Sequence, residues 1–349
     1  MLDLAGLLHR GDLDELVRAV DAAASRQDWR TVEALRVGAM EALDRTGRQL
    51  WGPAAYAGYR LALEAPVELA VPATLAGHDR HTLGPLTEVL AQHHEWSEVA
   101  DSLPGGPVSG VVAVERIARG EDLTDDDRAE VMHLDVPPRW QPWEGTAPLA
   151  TYRADEVLVP APRRTAAGDW VDVTAVPARE AGDVRVESAF LALVEPWATS
   201  STGAADVVVV DGDAVGAVAA LVAGPARMRE IGLADAMAWM TWAAASGGAR
   251  GRRRGVAAGR SAAWWAVRTL VGDRLEDWGD PDDVEFELED CRFHEFDDGG
   301  EHGWRLHVAA THPDGWTVAV AAEDTDRDID DLAAVDPSVD DRETDDDEG

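Results

Sequence analysis

The chain has 349 residues, 46% of them hydrophobic, and a formal net charge of -36. That apolar content sustains packed cores and excludes a disordered chain, and the length suits two domains. The acidic excess argues against general nucleic-acid binding or attachment to anionic membranes.

All 31 basic residues are arginine, which excludes Schiff-base lysine chemistry and any lysine-dependent phosphate loop. The single cysteine, Cys291, excludes an internal disulfide. The opening MLDLAGLLHR has no basic n-region followed by a long apolar core, so no signal peptide is expected. Ala214 to Ala226 is the longest nearly apolar run, too short to span a bilayer. A cytoplasmic location is expected.

Residues 1–120 read as a helical domain, either a bundle or a short α-solenoid. Leu13, Leu16, Val17 and Val20 recur at helical spacing, as do Val32, Leu35, Ala39 and Leu43, with Asp28 placed to cap the second run. RQDWRTVEAL and QHHEWSEVADSL echo each other, with Trp29 and Trp96 separated by 67 residues, a spacing that suits two helix-repeat units. His78, His81, His93 and His94 fall within 17 residues. A metal site there would need neutral imidazoles converging on one point, and surface positions are the expectation.

Residues 121–187 form a proline-rich extended connector. Pro137, Pro138, Pro142, Pro148, Pro160, Pro162 and Pro177 break helices, short strands fit at Val157–Val159 and Trp170–Val173, and Trp140 and Trp143 serve as anchors. The next domain, 188–322, is α+β. A helix at Ser188–Val194 leads to the strand Val207–Val210, the turn Asp211-Gly212-Asp213 and a helix from Ala214 to Ala223. The stretch VVVVDGDAV resembles the first motif of the haloacid-dehalogenase-like phosphatases, and GDRLED from Gly272 weakly resembles their later metal-binding motif. The resemblance implies that Asp211 attacks phosphorus and that Asp211 and Asp213 hold magnesium. The lysine of that family's pattern has no counterpart, and an ordinary helix cap explains the same residues.

Leu233 to Ser246 predicts a helix, closed by Gly247 and Gly248, with a second helix from near Arg250 to Val271. Five arginines, Arg250, Arg252, Arg253, Arg254 and Arg260, crowd its start. Gly251, Gly255 and Gly259 share one face with Ala262 and Ala266, as close packing on another helix requires, with Trp239 and Trp242 as neighbours. A helix N-terminus is already positive, so the arginines need anions. Those anions are either a bound phosphorylated ligand, whose oxygens suit guanidinium forks, or the protein's own carboxylates. Gly255-Val-Ala-Ala-Gly259 is too short, and lacks the lysine, for a phosphate-cradling loop.

A β-meander follows, with Val284–Leu288, Trp304–Val308 and Trp316–Val320 as period-two strands, a bulge near Asp290, and turns at Asp297–Gly300 and Pro313–Gly315. Cys291, His294, His302, His307 and His312 lie near it, with His307 expected to face solvent. Glu323 to Gly349 is an acidic tail of 14 carboxylates and two arginines, of a composition expected to be disordered.

The hairpin with its AWW, LGPLTEVLAQHHEW, ERIARGEDL and the WQPWE–PLATYRADE segment together resemble an uncharacterised family of long bacterial proteins from high-GC genomes. That resemblance implies a cytosolic protein of no assigned activity and transfers no functional residue. No nucleophile–base set emerges from the residues. The expectation is a non-enzymatic interaction or scaffold protein with a protein partner and no cofactor. The alternative is a binder or processor of a phosphorylated ligand at the arginine helix, with magnesium at Asp211 and Asp213.

Overall fold

The computed structural model describes residues 3–324 apart from 43–46, 78–80, 132–133, 164, 166–167, 175–176, 273–279 and 301–302. The N-terminal part is helical: α1 (Leu4–Arg10), α2 (Leu13–Ala24), α3 (Trp29–Met40), α4 (Trp51–Glu64), α5 (Val67–Leu75), α6 (Leu86–His93), α7 (Trp96–Val99) and α8 (Pro107–Ala118). Asp3, Asp12 and Asp28 each accept a hydrogen bond from the N–H three residues on, at 3.0, 2.9 and 3.2 Å, fixing three helix starts. Leu16, Val20, Val32, Leu35 and Leu61 bury one apolar cluster, and Val71, Leu90, Trp96, Val112 and Ile117 a second. Trp29 and Trp96, the echoed tryptophans, each occupy the first position of a helix.

The chain then runs through two short paired strands, β1 (Thr151–Tyr152) and β2 (Val157–Leu158), to β3 (Val171–Val173) and β4 (Arg179–Glu180). After α9 (Val184–Ala192) and α10 (Glu195–Ser200) come β5 (Ala204–Asp211), α11 (Ala214–Leu221), β6 (Ala226–Ile231), α12 (Leu233–Ala245), α13 (Val256–Val271), α14 (Pro281–Leu288), β7 (Arg292–Asp297), β8 (Trp304–Thr311) and β9 (Trp316–Asp324). The result is an α+β fold, a helical N-terminal part followed by an antiparallel sheet with helices.

Seven strands pair in the order β3-β6-β7-β8-β9-β5-β4, every pair antiparallel. Residues of the proline-rich stretch thus supply both edge strands. Only residues 174–178 join β3 to β4, a reach of about 20 Å at most at ~3.3–3.6 Å per residue. Seven strands laid flat would set their edges roughly 29 Å apart at ~4.8 Å per strand. The sheet therefore curls, and α11 sits within the curl on Val208, Val210, Met228, Ala309 and Ala319. The other face is covered by α9, α10, α12, α13 and α14 through Phe190, Trp197, Met237, Trp264, Val267 and Leu288.

Four sequence expectations need correction. Val284 to Leu288 is helix α14, not a strand: Asp280 caps it and Pro281 holds its first position. Val284 and Leu288, four apart, are buried while Phe286 is 70% exposed, which is helical and not period-two burial. The parity shift near Asp290 is therefore a helix end and not a bulge. Strand β6 has no counterpart in the sequence reading, because its arginines and Glu230 masked it. Third, α13 begins at Val256, so Arg250 to Arg254 precede it in a loop that ends at Gly255 with φ 93°. Arginines and glycines at a helix N-terminus oppose both its dipole and its propensity. Finally, Glu323 and Asp324 belong to β9, and the rest of the acidic tail lies outside the described residues.

One glycine contact is as expected in kind. A Cβ on Gly259 would stand 2.3 Å from the Thr241 carbonyl and 2.8 Å from Ala245 Cβ, so α12 and α13 cross closely there. The neighbours are Thr241 and Ala245 and not Trp239 or Trp242, and Gly251 lies in the loop.

Candidate functional site

Arg253 enters the protein between α6 and α8. Its Nε and Nη2 donate to Glu88 Oε2 and Oε1 at 2.8 and 2.7 Å, a bidentate pair with side chains 6% and 0% exposed. Tyr152 donates its hydroxyl to the same carboxylate at 2.6 Å. Glu115, on α8, accepts from the Ala257 N–H at 2.8 Å and from Arg119 at 2.9 Å. A carboxylate thus stands at the positive end of α13, the company that end requires. Gly255 lies between the two acids: a Cβ there would be 2.8 Å from Glu115 Oε1 and 3.6 Å from Glu88 Oε2.

Burial raises the pKa of Glu88, but the charge and hydrogen bonds of Arg253 outweigh it and hold the group below the ordinary carboxylate value. Burial and then the charge of Glu88 push Glu115 up to about 7. Burial and the same carboxylate raise the Tyr152 hydroxyl well above its usual range.

Arg260 makes a second internal pair. Its Nε and Nη2 donate to Glu144 at 2.7 and 2.6 Å, and its Nη1 and Nη2 to the carbonyls of Pro137 and Arg139 at 3.0 and 2.7 Å. Both side chains are fully buried. Trp264 donates to Glu144 at 2.9 Å, and the Trp140 ring lies 4.9 Å from the guanidinium. The WQPWE segment is pinned to α13 in this way, with Trp143 against Trp264 at 4.8 Å.

The anions that meet Arg253 and Arg260 are therefore the protein's own. Arg250, Arg252 and Arg254 lie on the exposed loop. The phrases that carried the family resemblance meet at this junction: Glu88 and Gln92 from LGPLTEVLAQHHEW, Glu115 and Arg119 from ERIARGEDL, Glu144, Tyr152, and the hairpin arginines. Gln92 bonds both the N–H and the carbonyl of Tyr152, at 2.6 and 2.9 Å. The carboxylates were missed as partners, although Glu88 and Glu115 each interrupt an apolar helical run, a sign of a buried ion pair.

Asp213 caps α11, accepting from Gly216 N at 3.0 Å, and Asp211 pairs with Arg179. Asp211 ends a strand that is antiparallel to both neighbours, where the repeated strand–helix units that the resemblance implies would pair in parallel; Asp273 and Asp277 lie outside the described residues. Among the described residues His81, His93 and His94 form no group that could hold a metal ion, and His94 faces Glu98 at 3.9 Å; His78 and His302 lie outside the described residues.

His307 is buried, not solvent-facing, because α11 covers the second face of the sheet. Its ring stacks on Phe296 at 4.7 Å and reaches the Phe296 main chain, and burial holds it neutral-leaning, below its ordinary pKa. This residue marks an opening in the sheet. Pairing of β7 with β8 stops at Glu295 and Val308 although both strands continue. The parted strands leave a cleft of about 300 Å³ walled by Trp239, Glu295, Asp297, Arg305 and His307. Arg305 donates to Glu323 at 2.7 Å and also contacts Asp298 and Asp297, so three carboxylates share its one positive charge, with Arg227 also on Asp297. An aromatic wall with a few placed polar groups is the general form of a ligand site.

Among the described residues no helix is long and apolar enough to cross a membrane. Neither a curated protein nor a solved structure matches the chain. A family model, described as a family of unknown function, DUF6183, matches residues 14–326. Most of the chain is covered by that match, and the protein belongs to the DUF6183 family.

Proposed function

We propose that the protein is a cytoplasmic, non-enzymatic interaction protein that works by binding, with the β7–β8 cleft as its recognition site. The observation that carries this reading is the parting of two strands in mid-sheet, which leaves a cleft walled by the half-buried Trp239 and several charged side chains without breaking the sheet elsewhere. Arg253 and Arg260 support it from the other side: Arg253 joins the helical part to the later part through Glu88, and Arg260 holds the WQPWE segment through Glu144. A photo-crosslinking residue placed at Asp297 should capture a partner or ligand in cells, and the same residue at the exposed Phe286 should not. Equal yields from both positions would remove the cleft from consideration.

A second reading keeps a phosphorylated ligand at Arg250, Arg252 and Arg254, favoured by their exposure on one loop. In this reading magnesium at Asp211 and Asp213 would displace the contact of the one with Arg179 and the helix cap made by the other. Thermal-shift measurements against nucleotides, sugar phosphates and polyphosphate, with and without magnesium, separate the readings. The interaction reading expects no rise in midpoint with any of them.

A further inference from the structure

On the face of the sheet that α11 covers, three neighbouring segments bring metal-ligating side chains together. Asp298 follows β7, His307 lies on β8 and Glu323 on β9. One ligand atom from each, two carboxylate oxygens and an imidazole nitrogen, lies within 4.8 Å of the other two. His307 is 8% exposed, so bulk water does not serve its ring. Burial, and then the charge of Arg305, keep that ring neutral, the form that ligates a metal. A neutral imidazole has one proton for two nitrogens. In the tautomer that gives it to the Phe296 main chain, Nε2 turns a lone pair toward Glu323 Oε1, 3.4 Å away. Two acceptors at that separation want a cation between them, and ligands ~2.1 Å from a tetrahedral ion stand about 3.4 Å apart.

The three residues also line one hollow of about 340 Å³. Asp206 of β5 shares it, and Leu221 to Gly224 bring the C-terminal, negative end of α11 to its wall. Arg305 answers part of this charge, meeting Asp298 through Oδ1 and Glu323 through Oε1. An ionised carboxylate accepts at both oxygens, so Oδ2 and Oε2 can ligate while Arg305 keeps the other two. Asp297, the further acid on Arg305, has Arg227 as well. Asp206, Asp298 and Glu323 against the single Arg305 leave two negative charges around the hollow, matching one divalent cation.

We propose that Asp298, His307 and Glu323 bind one divalent first-row transition-metal ion, with its open coordination position toward the hollow and Asp206. Imidazole together with carboxylates suits such ions, and three protein ligands leave a place for water or a bound molecule. The ion ties the end of β7 to β8 and β9 where the pairing of β7 with β8 has lapsed. The site stands whether or not a partner uses the β7–β8 cleft.

Isothermal titration of the untagged full chain with zinc ion tests this, in excess magnesium to occupy oxygen-only sites. One equivalent should bind well above the weak background. His307→Phe, which keeps a ring stacked on Phe296, should remove that equivalent. Asp298→Asn and Glu323→Gln should each weaken it at least about tenfold, since losing a group that only supports a ligand already costs about 10–100-fold. His93→Ala, at an exposed histidine, should leave it unchanged. Matching circular dichroism checks the fold of each variant, and the half-exposed Glu323 decides the matter should His307→Phe not fold. Absence of a saturable equivalent overturns the proposal, as does one that survives His307→Phe or Glu323→Gln at full affinity.

Discussion

Replacing Arg253 by methionine removes the cation from a pair whose atoms meet at 2.7 and 2.8 Å and whose side chains are 6% and 0% exposed. At an effective dielectric constant of about 20 and charge centres about 4 Å apart, the lost attraction is about 4 kcal/mol. Glu88 would keep its hydrogen bond from Tyr152 but would remain a buried carboxylate without a counter-charge. Breaking one side of a buried pair costs about 3–5 kcal/mol, and the two figures agree. Glu88→Met/Arg253→Met/Tyr152→Phe removes both charges and the phenol together, and takes only a long 3.3 Å donor from the Pro148 carbonyl. It should lie within about 1 kcal/mol of the unmodified chain, or above it, as apolar replacements of buried pairs do. Urea unfolding followed by tryptophan fluorescence measures both. A loss below about 1 kcal/mol for Arg253→Met, the value of an exposed pair, would refute the claim that this junction is dry and holds the two parts together.

Glu115 gives a pH test. Its pKa is raised from 4.5 to about 7, so the proton contributes stability that is fully present below the lower value and is lost as pH rises through the higher. Glu115→Gln, which has no proton to lose, should gain stability relative to the unmodified chain between about pH 5 and about pH 8; urea midpoints showing a constant difference would contradict this. Gly259→Ala should push α12 from α13, since its Cβ meets backbone atoms, and lower stability by about 1–3 kcal/mol, as overpacking does. An unchanged thermal midpoint would show the crossing to be loose. Arg305→Ser removes the cation shared by Asp298 and Glu323, whose oxygens lie with a His307 nitrogen within 4.8 Å of one another. Nickel ion should then raise the thermal midpoint of the variant more than that of the unmodified chain, because imidazole and carboxylates suit it; equal shifts would argue against a shared site.

Local signals wrote much of the fold into the sequence. Asp28 and Asp213 cap the helices their positions announce, and Asp297–Gly300 and Pro313–Gly315 turn the meander. Period two misled at Val284–Leu288, where three apolar residues at alternate positions also fit a short helix and the Asp280-Pro281 start decides. The burial of His307 could not be read locally, because it depends on α11 covering a face that a meander alone would leave wet. The arginine stretch was legible as a charge problem needing anions. Its solution was not, since Glu88 and Glu144 lie 165 and 116 residues away in sequence. Nothing in strand pairing propensities foretold that β7 and β8 would part beyond Glu295.

The bridge of five residues between β3 and β4 bears on the order in which the molecule is assembled. Both rims of the sheet leave the ribosome before any interior strand, and β9, which sits near the middle, leaves last. The curl cannot close until Asp324 has been made, whereas the opening helices already hold two cores of their own. Glu88 and Glu115 wait still longer than their own helices for Arg253 and the start of α13. A fragment begun after the bridge would expose β5 and β6 as bare rims, inviting strand addition by other chains, so the sheet should not be obtainable in soluble form without residues 171–180.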